Sequence, residues 1–322
     1  MMRKVYTIGE ALIDFIPHEI GVAMNEVESF KRAPGGAPAN VAATIAKLGG
    51  NSSFIGQVGE DQFGYFLERV LAENKVDVRH MLHTDEANTA LAFVALKEGG
   101  ERDFAFFRKP SADMLLDRKY IKTIDFKAHD ILHFCSVSLI ESAVKYSHIE
   151  AIEKVKKRDG LIVFDPNVRK NLWDDQDLYA KTIREFIPYA DVLKVSDDEI
   201  KFITGKKTVE EGIQYLLSGS IKLLILTKGK DGVTFFTSEK EVSVPGFNVH
   251  SIDTTGAGDS FIGAFLYQFS SKGQHLSRLT SEELYDMGVF ANAVAAIVTT
   301  KNGAISALPT IEEVSAFMSE PN

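Results

Sequence analysis

From about residue 130 to residue 227 the chain repeats one pattern, a short apolar run without polar alternation followed by a longer amphipathic stretch. The runs cover 131–135, 161–165, 192–195 and 223–227, and the stretches between and after them read as helices over 142–157, 177–187, 197–203 and 208–218. Strands that are apolar on both sides must be covered on both faces, and strands joined by helices run parallel. Residues 233–236 and 242–244 read as an antiparallel pair, and two helices, about 257–271 and 282–298, end the C-terminal third. The pattern predicts an α/β fold with three layers, α/β/α, around a mostly parallel sheet.

The first third adds a strand over 5–15 with Asp14 near its end, a polar irregular segment over 15–32, and a helix over 37–48 between two Gly-Gly pairs. A strand over 53–58 and a helix over 63–74 follow. The segment 88–108 differs, because 90–97 and 103–108 are strand-like runs joined by Glu98-Gly99-Gly100-Glu101, a hairpin signal. A hairpin inserted into an α/β chain serves as a cover. The expectation is a single domain over 1–322 with a small β-sheet lid formed by segments of about 15–32 and 88–110.

The net charge of −9 argues against a nucleic-acid-binding surface. The lone cysteine, Cys135, excludes an intrachain disulfide, suits a reducing compartment and reads as a buried structural thiol. No apolar stretch approaches the roughly 18 residues of a membrane span, and the N-terminus lacks a leader pattern. The expected setting is cytoplasmic, without membrane or nucleic-acid partners.

Chemistry concentrates in a few turns. In Asp253-Thr254-Thr255-Gly256-Ala257-Gly258-Asp259 two glycines precede an apolar helix. Glycine lets backbone N–H groups approach an anion, and the helix start favours negative charge. A carboxylate at Asp259 is placed to take a proton from a hydroxyl beside a phosphate; the plain alternative is an acidic residue at an ordinary helix start. Pro34-Gly35-Gly36-Ala37-Pro38-Ala39-Asn40 is a second glycine turn into a helix, and the Asn40 amide suits sugar hydroxyls. Thr227-Lys228-Gly229 and Asp165-Pro166-Asn167-Val168-Arg169 each follow a buried strand, where ligand crevices form in parallel sheets. Each is equally readable as a surface loop. Walker A and G-x-G-x-x-G are both absent, and the histidines show no metal spacing.

Taken together these segments resemble the PfkB (ribokinase-like) family of carbohydrate and nucleoside kinases, and within it the fructokinases. The resemblance covers essentially the whole chain. It rests on Gly35 to Ala42, on Asp253 to Phe261, and on Phe106-Phe107-Arg108-Lys109-Pro110-Ser111-Ala112-Asp113-Met114-Leu115-Leu116 as a fructokinase-like lid-to-core segment.

The resemblance implies an ATP-dependent sugar kinase that converts D-fructose to D-fructose 6-phosphate, with Asp259 as base and Gly256, Ala257 and Gly258 as the anion cradle. It implies that Asp14, Gly35, Gly36, Asn40, Phe106 and Arg108 bind the sugar, with Asn167 and Arg169 near the transferring phosphate. Lys194, Ser196 and Glu199 fall on the family's Asn-x-x-Glu motif for Mg²⁺ and phosphates, with serine in place of asparagine. Thr227, Gly229 and Asn292 would contact ATP. Asp253, Thr255 and carbonyls near Val298, Lys301 and Gly303 match its monovalent-cation loop for K⁺, where Ala307 replaces a ligating serine. A homodimer through the lid is a further expectation. The alternatives are a 2-keto-3-deoxygluconate kinase, a ribokinase-like or nucleoside kinase, a non-catalytic sugar-binding protein, and a nicotinamide oxidoreductase; the last lacks its glycine fingerprint.

Overall fold

The computed structural model describes residues 2–19, 21–96 and 102–319. The chain runs β1 (Val5–Ile8), β2 (Leu12–Pro17), β3 (Phe30–Gly35), α1 (Ala37–Lys47), β4 (Ser52–Gly59), α2 (Gln62–Glu73), β5 (Asp77–Thr84), β6 (Leu91–Leu96) and β7 (Arg102–Phe107). It continues through α3 (Arg118–Thr123), β8 (Ile131–Cys135), α4 (Ala143–Lys156), β9 (Leu161–Asp165), α5 (Gln176–Phe186), β10 (Val192–Ser196), α6 (Asp197–Thr204), α7 (Val209–Leu217) and β11 (Leu223–Thr227). It closes with β12 (Val233–Phe236), β13 (Glu241–Val244), α8 (Ala257–Lys272), α9 (Ser281–Thr299) and α10 (Ile311–Ser319).

A nine-stranded sheet in the order β13-β12-β11-β10-β9-β8-β1-β4-β5 forms the centre. Its pairs are parallel except for β11–β12 and β12–β13 at one edge. One face packs Ile8, Leu132, Phe134, Phe164 and Leu193 against α4, α5, α6 and α7. The other packs Val5, Ile131, Val163, Val192 and Ile225 against α1, α8, α9 and α10. Successive strand residues therefore serve opposite cores, which is why these strands are apolar without alternation. The three layers expected from the pattern are present.

A second sheet, of four strands in the order β3-β2-β6-β7, stands apart. Its composition corrects two sequence expectations. The run over 5–15 is not one strand: Gly9 adopts φ 145°, ends β1, and sends the chain into β2 of the small sheet. The segment 15–32 is not irregular throughout either, since Phe30–Gly35 is an edge strand and the sheet takes in Leu12–Pro17 as a whole. Lys31, Arg32 and Pro34 disguised it, and proline is tolerated because β3 lies at an edge. The hairpin strands match 90–97 and 103–108 within two residues, and their Glu98–Glu101 turn lies outside the described residues. The pattern also missed β5, α3 and α10.

Candidate active site

Among the described residues three α-helices, α1, α4 and α8, begin without a side-chain cap, and of these α1 and α8 begin on glycine. Asp61, Asp117, Asp175, Ser196, Thr208 and Thr280 cap α2, α3, α5, α6, α7 and α9. The helices α1 and α8 start instead on Gly36, at φ 101°, and Gly256, at φ 76°, with no capping hydrogen bond. Only glycine takes these conformations readily. A Cβ on Gly36 would stand 2.4 Å from the Glu10 carbonyl oxygen, and one on Gly256 2.6 Å from Ala304 Cβ. Uncapped N-termini keep N–H groups and partial positive charge for an outside anion.

The two helix starts meet at Asp259, which is 6% exposed in the first turn of α8. Asn40 Nδ2, in the first turns of α1, donates to Asp259 Oδ2 at 2.8 Å, and Asn167 Nδ2, beyond β9, donates to Oδ1 at 2.8 Å. The Asn40 Oδ1 atom is buried and has no partner among the described residues, an acceptor left over for a ligand hydroxyl.

Beneath this group lies a buried ion pair, Lys194 Nζ on β10 with Asp165 Oδ2 on β9, at 3.0 Å. Burial pushes the Asp165 carboxyl up, partly offset by Lys194. Burial works against the Lys194 ammonium too, but Asp165 and Glu199 outweigh it and keep it charged. Lys194 Nζ also comes 3.1 Å from where a Gly258 Cβ would be, so a cation abuts the start of α8. His133, a layer down on β8, is lowered to about 3 by burial and Lys194, and stays neutral.

Ser196 and Glu199 form a capping box on α6: Glu199 Oε2 accepts from Ser196 N at 2.9 Å, and Ser196 Oγ accepts from Glu199 N at 3.2 Å. Serine caps as well as asparagine does, which accounts for the helix keeping its start despite the substitution. The other Glu199 oxygen accepts from Val168 N at 2.6 Å and so ties the Asn167 turn to α6. Arg169 is exposed, its Nη1 donating to the Val168 carbonyl at 3.2 Å.

The small sheet contributes one face. Cross-strand register sets Ala33, Asp14, Ala92 and Phe106 in one row, and side chains in a row share a face. A Cβ on Gly35 would stand 2.1 Å from Asp14 Oδ2, so the carboxylate lies over the glycine that leads into α1 and Asn40. Arg108, just past β7, is 7% exposed; its guanidinium pairs with Asp113, and Nη1 donates to the Val137 carbonyl at 3.4 Å. Glu10, 2% exposed, accepts from Ser138 Oγ at 2.6 Å. Burial lowers the Arg108 pKa, but Asp113 and Glu10 more than compensate. The sequence assigns no role to Glu10 or Ser138, and it names Asp113 only as part of the lid-to-core segment; the one signal was a Glu and an Asp inside otherwise apolar or turn-like segments.

The remaining expected ligands divide. Thr227 is half-buried at the end of β11, and a Cβ on Gly229 would meet nothing within 4 Å, leaving open approach there. Asn292 is 7% exposed and donates to the Pro245 carbonyl at 2.9 Å, so it anchors the 245 loop. Asp253 accepts from Thr255 N at 2.8 Å and from Gly303 N at 2.9 Å, joining the two loops expected to hold a cation. Thr299 O accepts from both Ile252 N and Asp253 N, and Val298 O from Lys301 N. Ala307 is buried and offers no hydroxyl. Among the described residues no cluster of three or more His, Cys, Asp or Glu could hold a metal. A cavity of about 330 Å³ lined by Arg3, His129, Asp191 and Lys222 lies at the amino ends of the strands and contains none of these residues.

The family model described as pfkB family carbohydrate kinase matches residues 2–311. A relative named probable fructokinase-2, from Arabidopsis thaliana, is 43% identical over 315 residues, covering 98% of this chain and 95% of the relative. A fructokinase from Vibrio cholerae O395 in a fructose, ADP and calcium ion bound form superposes with a TM-score of 0.90 at 36% identity, covering 99% of both chains. A double mutant of that fructokinase in a fructose, ADP and potassium ion bound form gives 0.89 at 35% identity, again over 99% of both.

Proposed function

This chain belongs to the pfkB family of carbohydrate kinases, and on that premise we propose that it is a fructokinase in which Asp259 is the base for phosphoryl transfer from ATP to the 6-hydroxyl of D-fructose. The observation that carries the reading is a buried carboxylate in the first turn of an uncapped helix, with amide donors on both its oxygens. The O6–H proton passes to Asp259 while the O6–P bond forms. The bond from the γ-phosphorus to its bridging oxygen breaks, and ADP leaves with the electron pair. Gly256, Ala257 and Gly258 cradle the transferring group with backbone N–H, with the Lys194 ammonium behind them. Arg169 and Asn167 flank it; Ser196, Glu199, Thr227 and Gly229 belong to the nucleotide side.

For the sugar, Asp14, Gly35, Gly36, Asn40 and Phe106 form the binding set, and Asn40 Oδ1 accepts one hydroxyl. Arg108 bears on substrate choice. A sugar acid such as 2-keto-3-deoxygluconate would need a cation for its carboxylate, and the Arg108 guanidinium is already paired with the buried Asp113 carboxylate. A neutral polyol needs no such charge. We expect kcat/KM for D-fructose to exceed that for 2-keto-3-deoxygluconate, ribose and nucleosides. A higher value for the sugar acid would overturn the choice.

Mg²⁺ neutralises charge on the β- and γ-phosphate oxygens when bound. K⁺ belongs to the loop of Asp253 and Thr255, with the carbonyls of Val298, Lys301 and Gly303. Activity is expected to vanish with a chelator and to fall when a bulky organic cation replaces K⁺. Turnover that survives the chelator, or equal rates in both cations, would count against the respective assignment. A homodimer through the small sheet as a lid and a cytoplasmic setting belong to the same reading. Among the described residues no helix is long and apolar enough to cross a membrane.

A further inference from the structure

Asn40 and Asn167 were expected against the sugar and the phosphate, yet both amides donate to Asp259. They arrive from different elements, α1 and the turn after β9, and each takes a different oxygen at 2.8 Å. Asn167 holds φ 46°, in the left-handed region, which asparagine tolerates better than most non-glycine residues and which its surroundings here hold in place. Those surroundings are dense. Asn167 N donates to Asp165 Oδ1 at 3.2 Å, Val168 N to Glu199 Oε1 at 2.6 Å, and Arg169 N to the Tyr179 hydroxyl at 3.0 Å. The Pro166 carbonyl accepts from Ser136 N at 3.1 Å. Three consecutive N–H groups and one carbonyl are thus fastened to hold a single side chain on Asp259.

We propose that Asn167, with Asn40 opposite, is a positioning residue for the base. A lone carboxylate turns about its Cβ–Cγ bond, whereas one held at both oxygens from two elements does not. Each amide takes one lone pair of one oxygen, which leaves a second lone pair for the hydroxyl proton. Glu199 then contributes from a distance, through Val168 N, by keeping the Asn167 turn in its left-handed conformation. Asn40 also keeps its Oδ1 open to the sugar, among the described residues. The proposal rests on the reading of Asp259 as base.

Asn167→Gly is the informative variant, because glycine adopts φ 46° without strain and the turn keeps its shape. Steady-state kinetics of the full chain with fructose and ATP are expected to show kcat lowered about 10- to 100-fold, with the fructose KM within about threefold. A residue that only supported the fold would move stability or KM rather than kcat alone, so the split between kcat and KM is the readout. Asn167→Asp, which also tolerates the left-handed region, keeps the side chain's shape but replaces the amide donor with a carboxylate, and should lower kcat at least as far. It decides the matter alone if the glycine variant does not fold. A loss confined to KM, or an unchanged kcat, would overturn the proposal. Normal turnover by Asp259→Asn would instead overturn the base assignment beneath it.

Discussion

Asp259→Asn is expected to lower kcat by about 10²- to 10⁴-fold while the affinity for fructose stays nearly unchanged. The substitution keeps the side chain's shape and removes its capacity to take a proton. The surroundings can accept it. The new amide group offers its oxygen to Asn40 as before, so Asn40 Oδ1 stays free for the sugar, and its NH₂ would face the Asn167 amide. Asn167 can turn about its last side-chain bond and present its oxygen instead. The variant should therefore fold, bind fructose in a calorimetric titration as the parent does, and fail in turnover. Turnover within a factor of ten of the parent would remove Asp259 from the role.

Gly258→Val is expected to reduce activity below about one thousandth of the parent with the fold intact. Gly258 lies within α8 and is not among the positive-φ glycines. A Cβ there meets only the end of a flexible side chain, Lys194 Nζ at 3.1 Å, so the protein loses little by accepting it. The ligand would lose more, because a branched side chain stands over the N–H groups of the helix start, where a γ-phosphate has to approach. Gly256 would make a poorer test, since its φ of 76° and the 2.6 Å approach to Ala304 Cβ mean that a substitution disturbs the fold as well. A folded Gly258→Val variant, with a melting temperature within a few degrees of the parent and normal turnover, would place the anion cradle elsewhere.

How much of this was legible follows from where the constraint is written. Strands such as Leu223–Thr227 serve two cores at once, so their apolar character is visible in any short window. The break between β1 and β2 was not visible, because the apolar run continues through Ala11 and Leu12. What ends β1 is a backbone angle at Gly9, followed by Glu10, whose partner Ser138 lies 128 positions away. The edge strand Phe30–Gly35 carries two cations and a proline, and only its pairing with β2 makes it a strand.

The site divides in the same way. Glycine turns before helices announce Gly36 and Gly256, and the acidic residue after the second announces Asp259. That Asn40 and Asn167 close on Asp259 depends on contacts spanning 219 and 92 positions, which no local pattern encodes. Arg108 reads from the sequence as a ligand for an acid or for a neutral sugar alike, and only the fold shows its buried pairing with Asp113. A charge with buried partners looks the same in sequence as one without.

The most direct test of the account is to incubate the protein with ATP, Mg²⁺ and D-fructose, follow ADP, and locate the phosphate on the product by NMR. Stoichiometric ADP and phosphate on O6 are the expected result. Phosphate on O1, or no ADP formed with fructose while another acceptor is phosphorylated, would contradict it.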